Sequence, residues 1–337
     1  ADALAMVEQV RNGPASTGVL LGDGSGEVRR CYTRLIEAGV VVPPSYRWAT
    51  EAGRELIAKG GSQNTPLRLS SRLRYAAAEN PDVVIPLIHG AAGEDGSLAD
   101  VLEALELPYV GSPSLACRLA FDKAIAKGIV SDHGLQVAPS YSLPHEMFRD
   151  LGATGVMAAI LDRLGLPLMV KPTRGGSALG CTLVREASDL PPALVAAFAY
   201  GDSAMVEAYV QGVEVAVSVV DLGSGPQALP AVEIQPRSGV YDYAARYTAG
   251  ETEFFVPAWI TAEQEQACAG AAVAAHNALG LRHWSRADFI VTDNEVVFLE
   301  ANVAPGMTET SLFPQAASAA GMTLGKVAAS LVALSRS

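Results

Sequence analysis

Two short apolar runs late in the chain, Ala287–Val291 and Val296–Glu300, flank the pair Asp293-Asn294. Apolar runs rich in β-branched and aromatic residues, broken by Asp/Asn turn chemistry, predict a β-hairpin. The acids within it are unusual. Asp288 lies inside the first run; Glu300 and Asn302 end the second, two residues apart and therefore on one face of an extended segment. A hydrophobic hairpin does not require three converging oxygen-bearing groups. A hard divalent cation such as Mg²⁺ does, since it is held by one or two carboxylates together with substrate phosphates. Solvated strand ends are the plain alternative, and the hairpin alone does not choose between them.

The same patterning lays out the rest of the chain. Gly18–Leu21 reads as a strand, followed by the turn Gly22-Asp23-Gly24-Ser25-Gly26-Glu27 and a helix carrying Val28, Cys31, Leu35 and Ile36, the opening of an α/β unit. Glu27 stands at the helix start, where an acid either complements the helix dipole or meets a ligand. Asp82–Ile88 is a buried strand ending in the loop HGAAGEDG, residues 89–96. Ligands in open α/β sheets bind at such carboxyl ends, which marks His89, Glu94 and Asp95. A helix over Ser97–Leu105 and a short strand over Pro108–Gly111 follow, then a helix over Leu119–Ser131 with Asp122-Lys123 in its first turns, and a connector over Leu135–Ser140.

Beyond a helix over Ala153–Leu164, the strand Pro167–Pro172 runs into a Gly/Ser-rich loop, residues 173–180, and returns as a strand over Cys181–Val184. The backbone N–H groups of such a tip can wrap phosphate oxygens, although this is not a Walker loop. Lys171 inside an apolar strand needs a negative partner, either a nucleotide phosphate or a buried carboxylate. Further strands are expected over Ala204–Val210 and Glu214–Val220, and Gln235–Pro257 reads as one long polar loop suited to a lid. Thr261–Leu279 is a helix with Thr261 as N-cap and Glu263-Gln264 near the third position.

Half of the 337 residues are apolar and 18% are charged, the balance of a globular chain long enough for two or three domains. A formal net charge of −12 argues against non-specific binding to nucleic acid or anionic membrane. The four cysteines show no C-x-x-C spacing, which points away from zinc or a disulfide scaffold and toward a reducing cytoplasm. Neither a signal peptide nor an apolar run of membrane-spanning length stands out.

Taken in order, HGAAGEDG, Asp122-Lys123, VKPTRGGSALG, YDYAARYTAGET, SRADF and LEANVAPGMTETSLFP resemble the D-alanine–D-alanine ligases of the ATP-grasp superfamily. The likeness extends from Val19 to Leu334. It implies an α/β ATP-grasp fold of three α/β domains with the active site in the cleft between them: an N-terminal extension over 1–17, a substrate domain over 18–119, a central lid domain over 120–210, and a C-terminal domain over 211–337. It implies ATP, two Mg²⁺ or Mn²⁺ ions on Asp288, Glu300 and Asn302, phosphate contacts from Lys123 and Lys171, and adenine recognition along Glu207, Ala208, Tyr209 and Val210, with Glu214 on the ribose. It also implies Glu27 and His89 at the first amino acid, Arg286 at the tetrahedral intermediate, and Gly306 and Ser311 at the second amino acid. Tyr247 and Ser177 close the site. Small-molecule substrates are the implied partners, with no nucleic acid or membrane, in a cytoplasmic protein whose relatives are commonly homodimers.

Several positions depart from the family pattern: Gly26 in the first turn, Gly175 and Ala178 in the phosphate loop, Arg246 in the long loop, and Glu309 in the second-substrate loop. They touch substrate loops more than the ATP platform. A ligase for other D-amino acids is therefore the second expectation, and a non-catalytic nucleotide-binding regulator the third.

Overall fold

The computed structural model describes the backbone of residues 18–22 and residues 81–176, 178–237, 239, 241, 245, 248, 250–308 and 310–336. Glu27, Ser177, Arg246, Tyr247 and Glu309 lie outside the described residues. Among those described, the strands form three sheets.

Strands β1 (Gly18–Gly22) and β2 (Val83–Leu87) pair in parallel, Gly18 opposite Val83 and Gly22 opposite Leu87. Val83 and Val84 are fully buried. Helices α1 (Ala91–Glu94) and α2 (Ser97–Ala104) follow, and Leu98 and Leu102 pack on Val84, Ile88 and Tyr109. The strand expected over 108–111 shrinks to one bridge, Val84 with Tyr109. The Tyr109 hydroxyl is drawn to Glu103 at 2.7 Å, and Gly111 with φ 141° turns the chain away.

One expected helix over 119–131 is in fact two, α3 (Ser114–Phe121) and α4 (Lys123–Asp132). Asp122 breaks them with an extended backbone, φ −90° and ψ 106°, and its carboxylate caps α4 by accepting from the Ala124 and Ile125 N–H groups. The connector then joins two sheets. Strand β3 (Gln136–Val137) pairs with the late hairpin, whereas β4 (Ser140–Pro144) pairs in a four-stranded antiparallel sheet with β5 (Leu168–Pro172), β6 (Thr182–Val184) and β7 (Ser203–Ala208), in the order β4-β7-β5-β6. Helices α5 (His145–Leu151), α6 (Ala153–Leu164) and α7 (Leu190–Phe198) are associated with this sheet. Its core brings Leu143, Ile160, Leu168, Val170, Leu194 and Val206 together.

The large sheet comprises β8 (Val213–Asp221), β9 (Pro226–Ala228), β10 (Val232–Pro236), β11 (Thr252–Phe255), β12 (Trp284–Val291) and β13 (Val296–Asn302) with β3. The run expected to be one polar loop over 235–257 contains the end of β10 and the whole of β11, which pair antiparallel from Glu233–Phe255 to Pro236–Thr252. Both faces of β8 are covered from Val215 to Val220, so small apolar residues point to both sides there instead of alternating strictly with polar ones. Val215, Val217 and Val219 face helix α8 (Ala262–Ala278), with Cys268 and Ala272. Ala216 and Val220 face Phe313, Ala316 and Leu331 of α9 (Leu312–Ala319) and α10 (Leu324–Ser335), a cluster that also takes in Val83 and Ile85 of β2. The capping box expected at Thr261 forms in full with Gln264. No single helix among the described residues is long and apolar enough to cross a membrane.

Candidate active site

The predicted hairpin is β12 and β13, with Thr292 to Glu295 closing the turn through a 2.9 Å backbone bond. Its register pairs Asp288 with Glu300 and Arg286 with Asn302, and the ladder slips between Asp288 and Phe289 so that Phe289 meets Phe298. Leu299 is the extra residue of this bulge. Phe298 and Glu300 are two apart and would share a face in a regular strand. The slip allows Phe298 to pack with Phe289 in the core while Glu300 lines a cavity with Asp288.

That cavity, about 430 Å³, opens between the two larger sheets. The predicted residues Lys123, Lys171, Glu207, Ala208, Tyr209, Val210, Glu214, Asp288 and Glu300 all line it. Strand β5 supplies Lys171, the helix start at α4 supplies Lys123, and the end of β7 with the following connection supplies residues 207–210. Arg286 and Asn302 sit two register positions further along the hairpin, past the Ala287–Ala301 pair. The Asn302 side-chain oxygen accepts from the Ala304 N–H at 2.9 Å. His89 is exposed in the loop after β2. Ser311 Oγ accepts from the Thr308 N–H at 3.1 Å, and a Cβ added to Gly306 would fall 2.5 Å from that oxygen. Gly306 and Ser311 are thus together in one tight loop, without lining the cavity described.

Opposite charges pair at Arg286–Asp288, Lys123–Glu300 and Lys171–Glu207. Arg286, almost wholly buried, grips Asp288 with two bonds of 2.7 and 2.9 Å; burial opposes its charge, but Asp288 holds the guanidinium firmly protonated. Lys123 Nζ lies 3.2 Å from Glu300 and donates to the Gly175 carbonyl at 2.7 Å. Of the two partners left open for Lys171, the structure provides the carboxylate: Glu207 Oε1 at 2.6 Å. Burial pushes the Lys171 pKa down and Glu207 more than reverses it, leaving it raised. Burial likewise pushes Glu207 up, but Lys171 and then Lys127 hold it below the usual carboxylate range.

Two residues had no assigned role from sequence. Lys127 contacts the second oxygen of Glu207; its signal was a spacing of four from Lys123, which puts both on one helical face. Glu94, singled out only as part of its loop, is buried and accepts from the Gly90 N–H at 2.5 Å. Burial raises its pKa to about 7, Gly90 and Arg286 oppose the shift, and Glu300 adds to it. Chemically, the cavity offers cations for a polyanion and two opposed carboxylates for a hard metal, each charge balanced by a protein partner.

Family models for the D-ala D-ala ligase N-terminus and the D-ala D-ala ligase C-terminus match residues 45–112 and 129–333. The chain belongs to the D-alanine–D-alanine ligase family. It is 40% identical over 258 residues to the D-alanine–D-alanine ligase of Anaeromyxobacter sp. (strain K), 76% of this chain and 80% of that one. With the Bordetella petrii enzyme of the same name it shares 39% over 261 residues, 77% and 78% of the two chains. Among solved structures, the VanG D-Ala:D-Ser ligase from Enterococcus faecalis superposes with a TM-score of 0.69 at 33% identity, covering 76% of this chain and 73% of that one. The Bacillus anthracis D-alanine–D-alanine ligase complexed with ATP superposes at 0.67 and 26% identity, covering 94% and 96%. The mixed α/β architecture is accordingly an ATP-grasp fold, and the family is one of ATP-dependent ligases.

Proposed function

We propose that this chain condenses two molecules of D-alanine with ATP, forming dipeptide, ADP and phosphate by way of an acyl phosphate, as a step in building cell-wall peptidoglycan precursor. The observation that carries this reading is the cavity in which Lys123 and Lys171 meet the Asp288–Glu300 pair beside the Glu207–Glu214 segment. ATP lies along that segment, with adenine against residues 207–210, ribose at Glu214 and phosphates at the two lysines.

Asp288, Glu300 and Asn302 would hold Mg²⁺. The donor set fits: two hard carboxylates directly opposed across the ladder and an amide on the same strand face. Such ions, when bound, neutralise charge on phosphate oxygens as the phosphoryl group moves. Arg286, the ion-pair partner of Asp288, stabilises negative charge developing on the reacting carboxyl carbon's oxygens. Glu27 and His89 orient the first amino acid, and Gly306 with Ser311 receives the carboxylate of the second. Ser177 and Tyr247 help exclude water, which would otherwise hydrolyse the acyl phosphate. Bringing the amine and the activated carboxyl together supplies much of the rate.

Phosphate release from ATP with a panel of D-amino-acid pairs tests the reading. The highest kcat/KM is expected for D-alanine with D-alanine. A clear preference for another acceptor, D-serine included, would replace it with a ligase of other D-amino acids, the outcome that similarity to the D-Ala:D-Ser ligase and the departures at Gly26, Ala178 and Glu309 favour. ATP binding without phosphate release from any pair would leave a nucleotide-binding regulator. Glu300→Ala should lower Mg²⁺-dependent turnover roughly a hundredfold or more; near-normal turnover would remove Glu300 from the metal site.

A further inference from the structure

In the cavity wall and just behind it, three charged groups are packed away from bulk solvent. Lys127, Lys171 and Glu207 are 3%, 7% and 3% exposed. Glu207 occupies the centre: Oε1 takes Lys171 at 2.6 Å and Oε2 takes Lys127. Lys171 and Glu207 line the cavity, whereas Lys127 stands behind them on α4.

The two lysines differ in what is asked of them. If a nucleotide occupies the cavity, Lys171 must turn its ammonium toward a phosphate. Doing so weakens its hold on Glu207, and a buried carboxylate stripped of its cation is strongly disfavoured. Without a second cation, Glu207 and phosphate would compete for Lys171. Lys127 removes that conflict because its own bond to Glu207 does not depend on the cavity being filled. Its backbone is well fixed for the purpose. Helix α4 is capped by Asp122, and Lys123, one turn earlier on the same face, is tied to Gly175 and Glu300.

We propose that Lys127 is a positioning residue for nucleotide binding: it remains the counter-ion of Glu207 when the cavity is filled, and so releases Lys171 to the phosphates. The proposal rests on the preceding reading, that ATP occupies this cavity.

The test measures Kd for ADP, with Mg²⁺ present, by calorimetry on the full chain. Lys127→Met should raise Kd about tenfold or more, because Lys171 is then captured by Glu207. Lys127→Arg should restore binding to near the unsubstituted value. The deciding comparison is made without the Glu207 charge. On a Glu207→Gln background, Lys127→Met should change Kd by less than about twofold, since no buried anion remains to hold Lys171 back. A helix lysine that merely supports the fold would cost affinity on both backgrounds. Should Lys127→Met fail to fold, Lys127→Gln, which also removes the charge, takes its place on both backgrounds. Equal Kd for Lys127→Met and the unsubstituted protein, or an undiminished loss on the Glu207→Gln background, overturns the proposal. Absence of ADP binding by the unsubstituted protein overturns the nucleotide reading, and this proposal with it.

Discussion

His283 sits just before β12 with φ 68°, and its Nδ1 accepts the Gly111 N–H at 2.9 Å, tying the hairpin to the end of the first α/β unit. Burial, with the Arg282 guanidinium beside it, pushes its pKa down to about 4. His276, whose Nδ1 lies 2.8 Å from Ser285 Oγ, is pushed down to about 4 by burial. An unfolded chain takes up these protons near pH 6.5, the folded one only near 4, so stability is full above 6.5 and drains away as pH falls toward 4. Each histidine accounts for up to roughly 3 kcal/mol of that loss. Glu94 runs the other way. Its folded pKa of about 7 exceeds the usual 4.5, so its burden on stability grows as pH rises from 4.5 to 7. Thermal melts across pH 4–8 check both signs. His283→Asn, which tolerates the positive φ, should flatten the acid limb, and Glu94→Gln should raise Tm at pH 8 more than at pH 5. Unchanged slopes in both variants would mean these groups titrate alike in the folded and unfolded chains.

Among elements, the break between α3 and α4 matters most for the site, because it sets where Lys123 and Lys127 emerge. Asp122 caps α4 and also binds Arg174 Nε at 3.0 Å, while the Lys123 N–H donates to the Thr173 carbonyl at 2.8 Å. Asp122→Ala should therefore cost about 1–2 kcal/mol, read as a lower midpoint in urea, and should raise the KM for ATP as Lys123 loses its fixed origin. A KM unchanged in the face of lost stability would separate the cap from the site. The loop before α9 offers a second element-scale test. A Cβ at Gly306 would lie 2.5 Å from Ser311 Oγ and 3.1 Å from its Cβ, so Gly306→Ala must push Ser311 aside. The KM for the second amino acid should rise more than that for ATP. Of these elements the hairpin, the capped helix at Thr261 and the strand before HGAAGEDG were legible, since each is specified by residues within a few positions of one another. The split at Asp122 was not: an Asp in an apolar helical pattern looks like a surface residue until Arg174 and Thr173 come up against it.

At the scale of the molecule, the cavity is walled by strands from two sheets joined through the short crossing at Ala138-Pro139. A ligand there touches both. Nucleotide with Mg²⁺ should raise the unfolding free energy by about 2.7 kcal/mol at a hundredfold excess over Kd, and hydrogen exchange should slow in β5 and β7 as well as in β12 and β13. Protection confined to one sheet would place the nucleotide elsewhere.

What the amino-acid sequence determined by itself was local: which stretches are strands, where Thr261 caps its helix, that Glu300 and Asn302 share a face, and the ordered motifs of an ATP-grasp ligase. These depend on side-chain periodicity and turn chemistry between near neighbours, which the order of residues states directly. Only the tertiary structure decided the pairings. Lys171 could have faced phosphate or carboxylate, Lys127 had no assigned task, and nothing along β13 announced that a bulge at Leu299 would send Phe298 into the core and Glu300 into the cavity. Lys127 and Glu207 stand 80 residues apart, and a buried charge finds its partner only when the packing of distant elements brings the two into one dry space, where leaving either alone is too unfavourable to persist.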